Sequence, residues 1–137
     1  TGDVRGASGT PFDFRTPKPI GQDFARLGDG TRGYDHNWCL SYASTPLRPC
    51  AIATDPVSGR RMTLATTEPG VQFYTGGYVD DTMIGKGGKP LCRYAGFTLE
   101  TQKYPGSPNW PQFPSSRLNP GQTYHHTMEF TFDTVPA

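Results

Sequence analysis

Three short segments of the chain carry the side chains that could do chemistry. They are residues 33–38, 66–76 and 98–102, and they supply Asp35, Gln72 and Glu100 together with several aromatic rings. Carboxylate and amide groups bind a sugar through hydrogen bonds to its hydroxyls, and aromatic rings pack against the apolar face of a sugar ring. The combination therefore favours a carbohydrate site.

Each of these polar residues also has an ordinary structural explanation. A glutamate in the polar row of a strand is usually solvated, which would leave Glu100 without a chemical role. An aspartate that follows a glycine closely often forms an Asx turn, which would account for Asp35. No single segment decides between the two explanations, so the case for a site depends on the three segments together.

The histidines and cysteines do not have the spacing of a metal site. His125 and His126 are adjacent, so on a strand they point to opposite faces and cannot hold one ion together. The chain has no His-x-His pair, and Cys39, Cys50 and Cys92 lack the close paired spacing of zinc ligands. The sequence predicts no metal site and no cofactor.

Antiparallel strands are the elements that would position the candidate residues. In residues 94–102, apolar Phe97 and Leu99 alternate with the polar row that contains Glu100, as successive side chains of a strand do. Residues 123–132 alternate in the same way and predict a strand with one wet face. Residues 50–54 and 61–66 flank a Pro- and Gly-containing turn at 55–59 and predict a hairpin. A further short strand is expected at 10–14.

The composition indicates an ordered β-protein with few aliphatic residues. The chain has 137 residues, of which 17 are Gly and 14 are Pro, so long helices are not expected. Leu, Ile, Val and Phe together fall below the roughly 20% at which a chain struggles to build a core. Disorder would also require a high net charge, whereas the formal net charge is +1 and 12% of the residues are aromatic. We therefore expect an all-β chain that packs against something else.

The same numbers exclude several classes of partner. The chain has 13 basic and 12 acidic residues and no basic run, which argues against a nucleic-acid surface. No apolar stretch is long enough for a transmembrane helix, so no membrane partner is expected. No repeat or shift in composition divides the chain, so residues 1–137 are interpreted as one unit or part of one. An odd number of cysteines and the lack of an Asn-x-Ser/Thr acceptor favour the cytosol.

Several motifs, taken in order, resemble the galactose mutarotase (aldose 1-epimerase) family. They are Gly-Thr-Pro-Phe-Asp-Phe-Arg at 9–15, Gly-Tyr-Asp-His-Asn-Trp-Cys-Leu at 33–40, Glu-Pro-Gly-Val-Gln-Phe-Tyr-Thr-Gly at 68–76, Gly-Phe-Thr-Leu-Glu-Thr-Gln at 96–102, Phe-Pro at 113–114 and Pro-Gly at 120–121. Their order and spacing match along the whole chain. Complete members of that family are considerably longer, and the motifs present here match their C-terminal portion only.

The resemblance implies a fold, a reaction and a set of roles. The fold would be the C-terminal part of an all-β, antiparallel β-supersandwich, and the reaction the interconversion of the α and β anomers of an aldohexose such as galactose or glucose. Matched motif to motif, Glu100 falls where the family has its general base. Asp35 and Gln72 fall where the family binds sugar hydroxyls. Gly77 departs from the pattern, since Asn is common there, and is expected to change the shape of the loop.

The resemblance also implies that part of the active site is absent from this sequence. The family's catalytic acid is a His in an upstream motif, as are a second active-site His and a substrate-binding Arg, and none of those motifs occurs here. We therefore expect a second chain that carries the N-terminal half of the fold with the catalytic His. The alternative is a non-catalytic sugar-binding or regulatory fragment of the same fold.

A chain that needs such a partner should expose apolar residues when it is considered alone. The residues expected to be unusually exposed for their types are Phe97, Leu99, Met128 and Phe130. Strands cut from a large sandwich would also leave open sheet edges, which must be paired or they aggregate.

Overall fold

The computed structural model of the chain describes residues 2–41, 44–80 and 82–136. Its strands are β1 (Asp35–Cys39), β2 (Arg48–Thr54), β3 (Arg60–Thr66), β4 (Gly70–Tyr74), β5 (Thr98–Gln102) and β6 (Met128–Thr134). Short 3₁₀ helices lie at Phe24–Arg26, Lys86–Gly88 and Ser107–Asn109. Within the described ranges no longer helix occurs, as the Gly and Pro content predicts.

The strands form two antiparallel sheets of three strands each. One sheet has the order β1-β4-β5, and the other has the order β2-β3-β6. In the first sheet the amide of Thr75 donates to the carbonyl of Tyr34, and the amide of Leu40 donates to the carbonyl of Pro69, so β1 and β4 run in opposite directions. The prediction of an all-β, antiparallel fold is confirmed.

The predicted hairpin is present and consists of β2 and β3. The two strands pair from Arg48 opposite Thr66 to Thr54 opposite Arg61, with a bulge between Pro49 and Ala51. In the turn the Asp55 carboxylate accepts hydrogen bonds from the amides of residues 57 and 58. The turn sequence therefore sets the register of the hairpin, because an Asx residue closes the chain reversal locally.

The predicted strand at residues 10–14 is wrong, because this segment forms turns. The amide of Thr10 donates to the carbonyl of Ala7, and the amide of Asp13 donates to the carbonyl of Thr10. The Asp13 carboxylate also accepts hydrogen bonds from the amides of Gly9 and Arg15. These local bonds satisfy the backbone without a sheet partner, which is how Asp and Thr compete with strand formation.

The chain divides into two compact units. The first contains residues 1–37 and 72–100, and the second contains residues 38–71 and 101–137. No shift in composition marks the boundaries between these units. The assignment of residues 1–137 to a single domain stays a prediction.

The core of the first unit is aromatic. Tyr34 is fully buried, and its ring is stacked on Phe73 with the centroids 5.4 Å apart. Other rings meet this pair edge-on, namely Phe12, Phe14 and Phe24 on Tyr34 and Phe14 and Phe97 on Phe73. Edge-to-face packing of rings at these distances adds to the stabilisation from burial, so aromatic residues replace the scarce aliphatic ones.

The second unit has a small core on β3 and the chain that follows it. Its buried apolar residues are Leu64, Ala65 and Val71. In contrast, every residue of β6 is exposed.

The expectation of unusual exposure is confirmed for three of the four residues named from the sequence. Phe97, Met128 and Phe130 are exposed. Leu99 is only partly exposed. Large apolar side chains that remain in contact with water show that this chain covers its own strands incompletely.

Candidate active site

Asp35 and Gln72, both in the first unit, contact each other directly across two neighbouring strands. Asp35 begins β1, Gln72 lies in the middle of β4, and the Gln72 Nε2 group donates to Asp35 Oδ1 at 2.8 Å. Asp35 is exposed, so a ligand can reach this residue from solvent. An acidic acceptor next to an amide is suited to sugar hydroxyls, which both donate and accept hydrogen bonds.

The amide oxygen of Gln72 is left without a donor. This Oε1 atom is buried and receives no hydrogen bond from the residues that the structure describes. Most buried polar atoms in folded proteins are paired, and an unpaired one costs about 1–3 kcal/mol. The hydrogen bond from its amide nitrogen to Asp35 therefore sets the orientation of Gln72, and the amide oxygen does not contribute to it.

The backbone beside this pair is fixed by residues 33–34 and 75. The amide of Tyr34 donates to Thr75 Oγ1 at 2.9 Å, and the amide of Thr75 donates to the Tyr34 carbonyl at 3.0 Å. Gly33 has a φ of +72°, and a Cβ atom there would lie 2.4 Å from Thr75 Oγ1. Only glycine allows this close approach, so Gly33 is needed to bring the start of β1 against the end of β4.

Glu100 lies on β5, the strand next to β4 in the same sheet. Phe73 contacts Phe97, so these rings share one face, and the alternation of side chains puts Gln72 and Glu100 on the opposite face. Asp35 shares that face because it contacts Gln72. The structure therefore brings the three predicted site residues to one face of one sheet within the first unit.

The Glu100 carboxylate is open to solvent. Its side chain is exposed, and its Oε1 atom accepts a hydrogen bond from Thr98 Oγ1 at 2.8 Å. Thr98 lies two residues earlier on the same strand, so both side chains stand on the same face. A carboxylate that is held by one hydroxyl and otherwise accessible can accept a proton from a bound hydroxyl group.

His36 follows Asp35 but has a different environment. Its ring packs edge-on against Phe12 at 4.7 Å, and its Nδ1 atom accepts a hydrogen bond from the Asp35 amide. Burial lowers the pKa of His36, and the charge of Asp35 only partly opposes that shift. His36 is therefore a neutral acceptor near pH 7, which is unlike a group that delivers a proton.

A buried carboxylate, Glu68, holds together a polar cluster in the second unit that was not predicted from the sequence. Glu68, between β3 and β4, is 2% exposed, and its carboxylate binds Lys103 Nζ at 2.7 Å and the Tyr124 hydroxyl at 2.7 Å. His126 Nδ1 lies 3.6 Å from the same carboxylate. Burial alone would raise the pKa of Glu68, but the bonds from Lys103 and Tyr124 and the nearby charges hold it below its ordinary value.

The cluster connects segments that are far apart in the sequence. The Glu68 carbonyl accepts a hydrogen bond from the Arg48 side chain, and His126 Nε2 lies 3.0 Å from Thr101 Oγ1. It therefore joins β2, the β3–β4 connection, the end of β5 and the segment before β6. The sequence placed Glu68 in the candidate segment 66–76 but gave no indication of the partners of its carboxylate.

Metal binding has no support in the described part of the chain. Residues 2–41, 44–80 and 82–136 contain no group of three or more His, Cys, Asp or Glu that could hold an ion. No helix there is long and apolar enough to cross a membrane.

Comparisons with known proteins match nearly the whole length of the chain. The aldose 1-epimerase family profile matches residues 1–131. Galactose mutarotase from Bos taurus is 42% identical over 135 residues, which is 98% of this chain and 39% of the relative. Galactose mutarotase from Homo sapiens is 44% identical over 138 residues, and aldose 1-epimerase from Escherichia coli is 32% identical over 134 residues.

A solved structure shows the same fold. A crystal structure of an aldose epimerase homologue from C. elegans superposes with a TM-score of 0.83 at 24% identity, over 99% of this chain and 40% of that one. The predicted fold is therefore confirmed. The chain spans about two fifths of the length of the relatives it matches.

Proposed function

Because the chain belongs to the aldose 1-epimerase family, we propose that it supplies part of an active site that interconverts the α and β anomers of an aldohexose. Glu100 is the general base, and Asp35 and Gln72 bind sugar hydroxyls. The substrate is an aldohexose such as galactose or glucose. The reaction needs no cofactor, because only protons and one C–O bond change.

The proposed reaction opens and recloses the sugar ring. The Glu100 carboxylate takes the proton from the anomeric hydroxyl while an acid protonates the ring oxygen, and the bond between the anomeric carbon and the ring oxygen breaks. Rotation about the C1–C2 bond presents the other face of the aldehyde. Reclosure returns both protons to their starting groups, so no proton is gained or lost over the cycle.

The observation that best supports this proposal is the shared face of three residues. Asp35 and Gln72 are hydrogen-bonded at 2.8 Å, and Glu100 stands on the neighbouring strand of the same sheet. Two groups that position a sugar next to one that moves a proton are what this chemistry requires, because a bound hydroxyl must lie within reach of the base.

The proton donor is proposed to come from outside this chain. His36 packs against Phe12 and has a lowered pKa, and His126 lies in the Glu68 cluster, so neither is assigned to the ring oxygen. A positioned proton donor contributes roughly a hundred-fold or more to the rate. We therefore propose that a second chain or segment with the N-terminal half of the fold and its catalytic His completes the active site.

Polarimetry with freshly dissolved α-galactose tests the proposal. The chain is measured alone and after addition of the part of bovine galactose mutarotase that lies outside the match. We expect the chain alone to leave the spontaneous rate nearly unchanged and the mixture to accelerate it. A mixture that binds galactose but does not accelerate mutarotation would instead support a sugar-binding fragment.

A further inference from the structure

We propose that the apolar face and outer edge of β6 form the surface on which the remainder of an aldose 1-epimerase domain docks. This inference rests on the proposed function, because it takes the remainder of that domain as the partner. The surface belongs entirely to the second unit and contains none of Asp35, Gln72 and Glu100.

β6 is an amphipathic strand with an apolar face. Met128, Phe130 and Phe132 alternate with Glu129, Thr131 and Asp133. On the polar face the Asp133 carboxylate forms a two-point ion pair with Arg61, its cross-strand partner. On the apolar face the Phe130 and Phe132 rings lie nearly parallel with their centroids 6.3 Å apart. The strand therefore has one face suited to water and one suited to a protein interior.

The apolar face of the β2-β3-β6 sheet is buried at β3 and exposed at β6. Leu64 on β3 is opposite Phe130 on β6, so the two side chains stand on the same face of the sheet. Leu64 is 0% exposed, whereas Phe130 is 40% exposed and Phe132 is 73% exposed. The protein layer that shields the sheet from water therefore ends between β3 and β6. A soluble protein rarely leaves a pair of stacked phenylalanine rings outside that layer unless something binds them.

The outer edge of β6 is also unprotected. The sheet order β2-β3-β6 puts β6 at the edge, and in the described part of the chain no strand pairs with its other side. Natural edge strands are usually protected by charged residues, above all Lys, or by Pro, a bulge or short length. Met128–Thr134 has seven residues with neither Lys nor Pro, and its two carboxylates, Glu129 and Asp133, stand on the polar face. Its pairing with β3 is regular along its whole length. The edge is thus suited to accept a further strand.

The chain lengths indicate which partner covers this surface. The chain aligns over 98% of its own length but only 39% of the bovine relative, and over 99% and 40% for the C. elegans structure. In those proteins the matched segment folds within a longer chain of the same family. A partner that must both extend the sheet and cover its apolar face has to be a substantial piece of folded protein, which the rest of such a domain provides.

The test compares two apolar residues of similar exposure on opposite faces of one sheet. Phe132 is 73% exposed on the apolar face, and Ile52 on β2 is 67% exposed on the other face, since it pairs with Thr63 and not with Met62. The wild-type chain, Phe132→Ser and Ile52→Ser are each titrated with the part of bovine galactose mutarotase that lies outside the match. Binding and the hydrogen exchange of the β6 amides are measured.

We expect Phe132→Ser to weaken binding at least about tenfold and Ile52→Ser to change it less than about twofold, because only Phe132 loses buried apolar area. The β6 amides should become protected when the wild-type complex forms. The proposal is wrong if the wild-type chain does not bind the segment, if both variants bind equally, or if β6 stays unprotected. It is also wrong if the chain alone forms a dimer that Phe132→Ser dissociates, because the partner would then be a second copy.

Polarimetry on the same complexes separates this proposal from the proposed function. Binding with β6 protection but without mutarotation would overturn the proposed function and leave the docking surface standing. Mutarotation by a complex in which β6 remains unprotected would overturn the docking surface and leave the proposed function standing.

Discussion

Gln72 donates a hydrogen bond to Asp35 across two neighbouring strands, with 2.8 Å between Nε2 and Oδ1. The bond turns the amide so that its oxygen is buried and its nitrogen is held by the carboxylate. The two residues therefore act as one rigid polar unit on the face that also carries Glu100. Pre-organisation of this kind reduces the entropy that a site loses when it orders around a sugar.

The first prediction concerns the proposed base. Glu100→Gln keeps the shape and hydrogen bonding of the side chain but removes its basicity, so kcat of the completed assembly should fall at least about a hundred-fold. KM should change little, because the sugar is bound mainly by other groups. The measurement is polarimetry over a range of sugar concentrations.

Glu129→Gln is the matched control for this variant. Glu129 is also an exposed strand glutamate, but its side chain stands on the polar face of β6 and not on the apolar face proposed for docking, so its loss should leave kcat unchanged. Near-normal turnover of Glu100→Gln would show that the assignment of the base is wrong.

The second prediction concerns the coupling between Asp35 and Gln72. Each single change to Ala should cost about 1–3 kcal/mol of binding to the sugar, because hydroxyls are left unpaired. The double variant should cost less than the sum, since residues in direct contact are not independent. Asp29→Ala, at an exposed position of the same unit, should have no effect. Strict additivity in KM, measured by the mutarotation assay, would contradict a shared role.

The sequence predicted the parts of this fold that depend on local patterns. Alternation located β5 and β6, although β6 begins at Met128 and ends at Thr134 and so lies toward the C-terminal end of the predicted segment. The turn chemistry at Asp55 located the hairpin. In contrast, β1 and β4 were not predicted as strands, because the polar run at 35–37 and the buried pair Val71 and Phe73 do not follow a two-residue alternation of apolar and polar types.

The Glu68 cluster could not be predicted for a different reason. Its partners lie 35 and 56 residues away along the chain, so only the fold brings Lys103 and Tyr124 to the carboxylate. The types and approximate positions of the candidate site residues were accessible from the sequence. Their contacts depend on strand pairing, which short-range patterns do not specify.

The third prediction concerns the unusual glycine after β4. A Cβ atom on Gly77 would lie 1.7 Å from the backbone carbonyl oxygen of Arg32, so any side chain forces the backbone to move. Gly77→Ala should destabilise the protein by about 1–3 kcal/mol, as overpacking against fixed atoms does. Gly96→Ala is the control, because a Cβ atom there has nothing within 4 Å. Thermal unfolding of both variants provides the measurement, and equal midpoints would contradict the contact.

The last prediction concerns the acid stability that Glu68 confers. Its pKa in the folded protein lies below its ordinary value of 4.5, because the bonds from Lys103 and Tyr124 outweigh the effect of burial. As the pH falls, the unfolded chain therefore takes up the proton first. The stabilisation is complete above about pH 4.5 and is lost as the pH falls from there through the lower folded pKa.

The variant Glu68→Gln separates the contribution of Glu68 to the free energy of unfolding from that of the other groups that titrate in acid. The variant should lose about 2 kcal/mol or more at pH 7, because Lys103 keeps its charge without a partner and is partly shielded from water. As the pH falls below about 4.5, the unfolded wild-type chain binds a proton that the folded protein takes up less readily, so the wild type loses this stabilisation and the difference between the two unfolding midpoints should shrink. Glu129→Gln, at an exposed position on β6, is the control for the loss of a carboxylate as such. A difference between wild type and Glu68→Gln that stays constant from pH 7 to pH 3 would mean that the carboxylate is protonated equally in both states, and that Lys103 and Tyr124 do not hold it in the charged form.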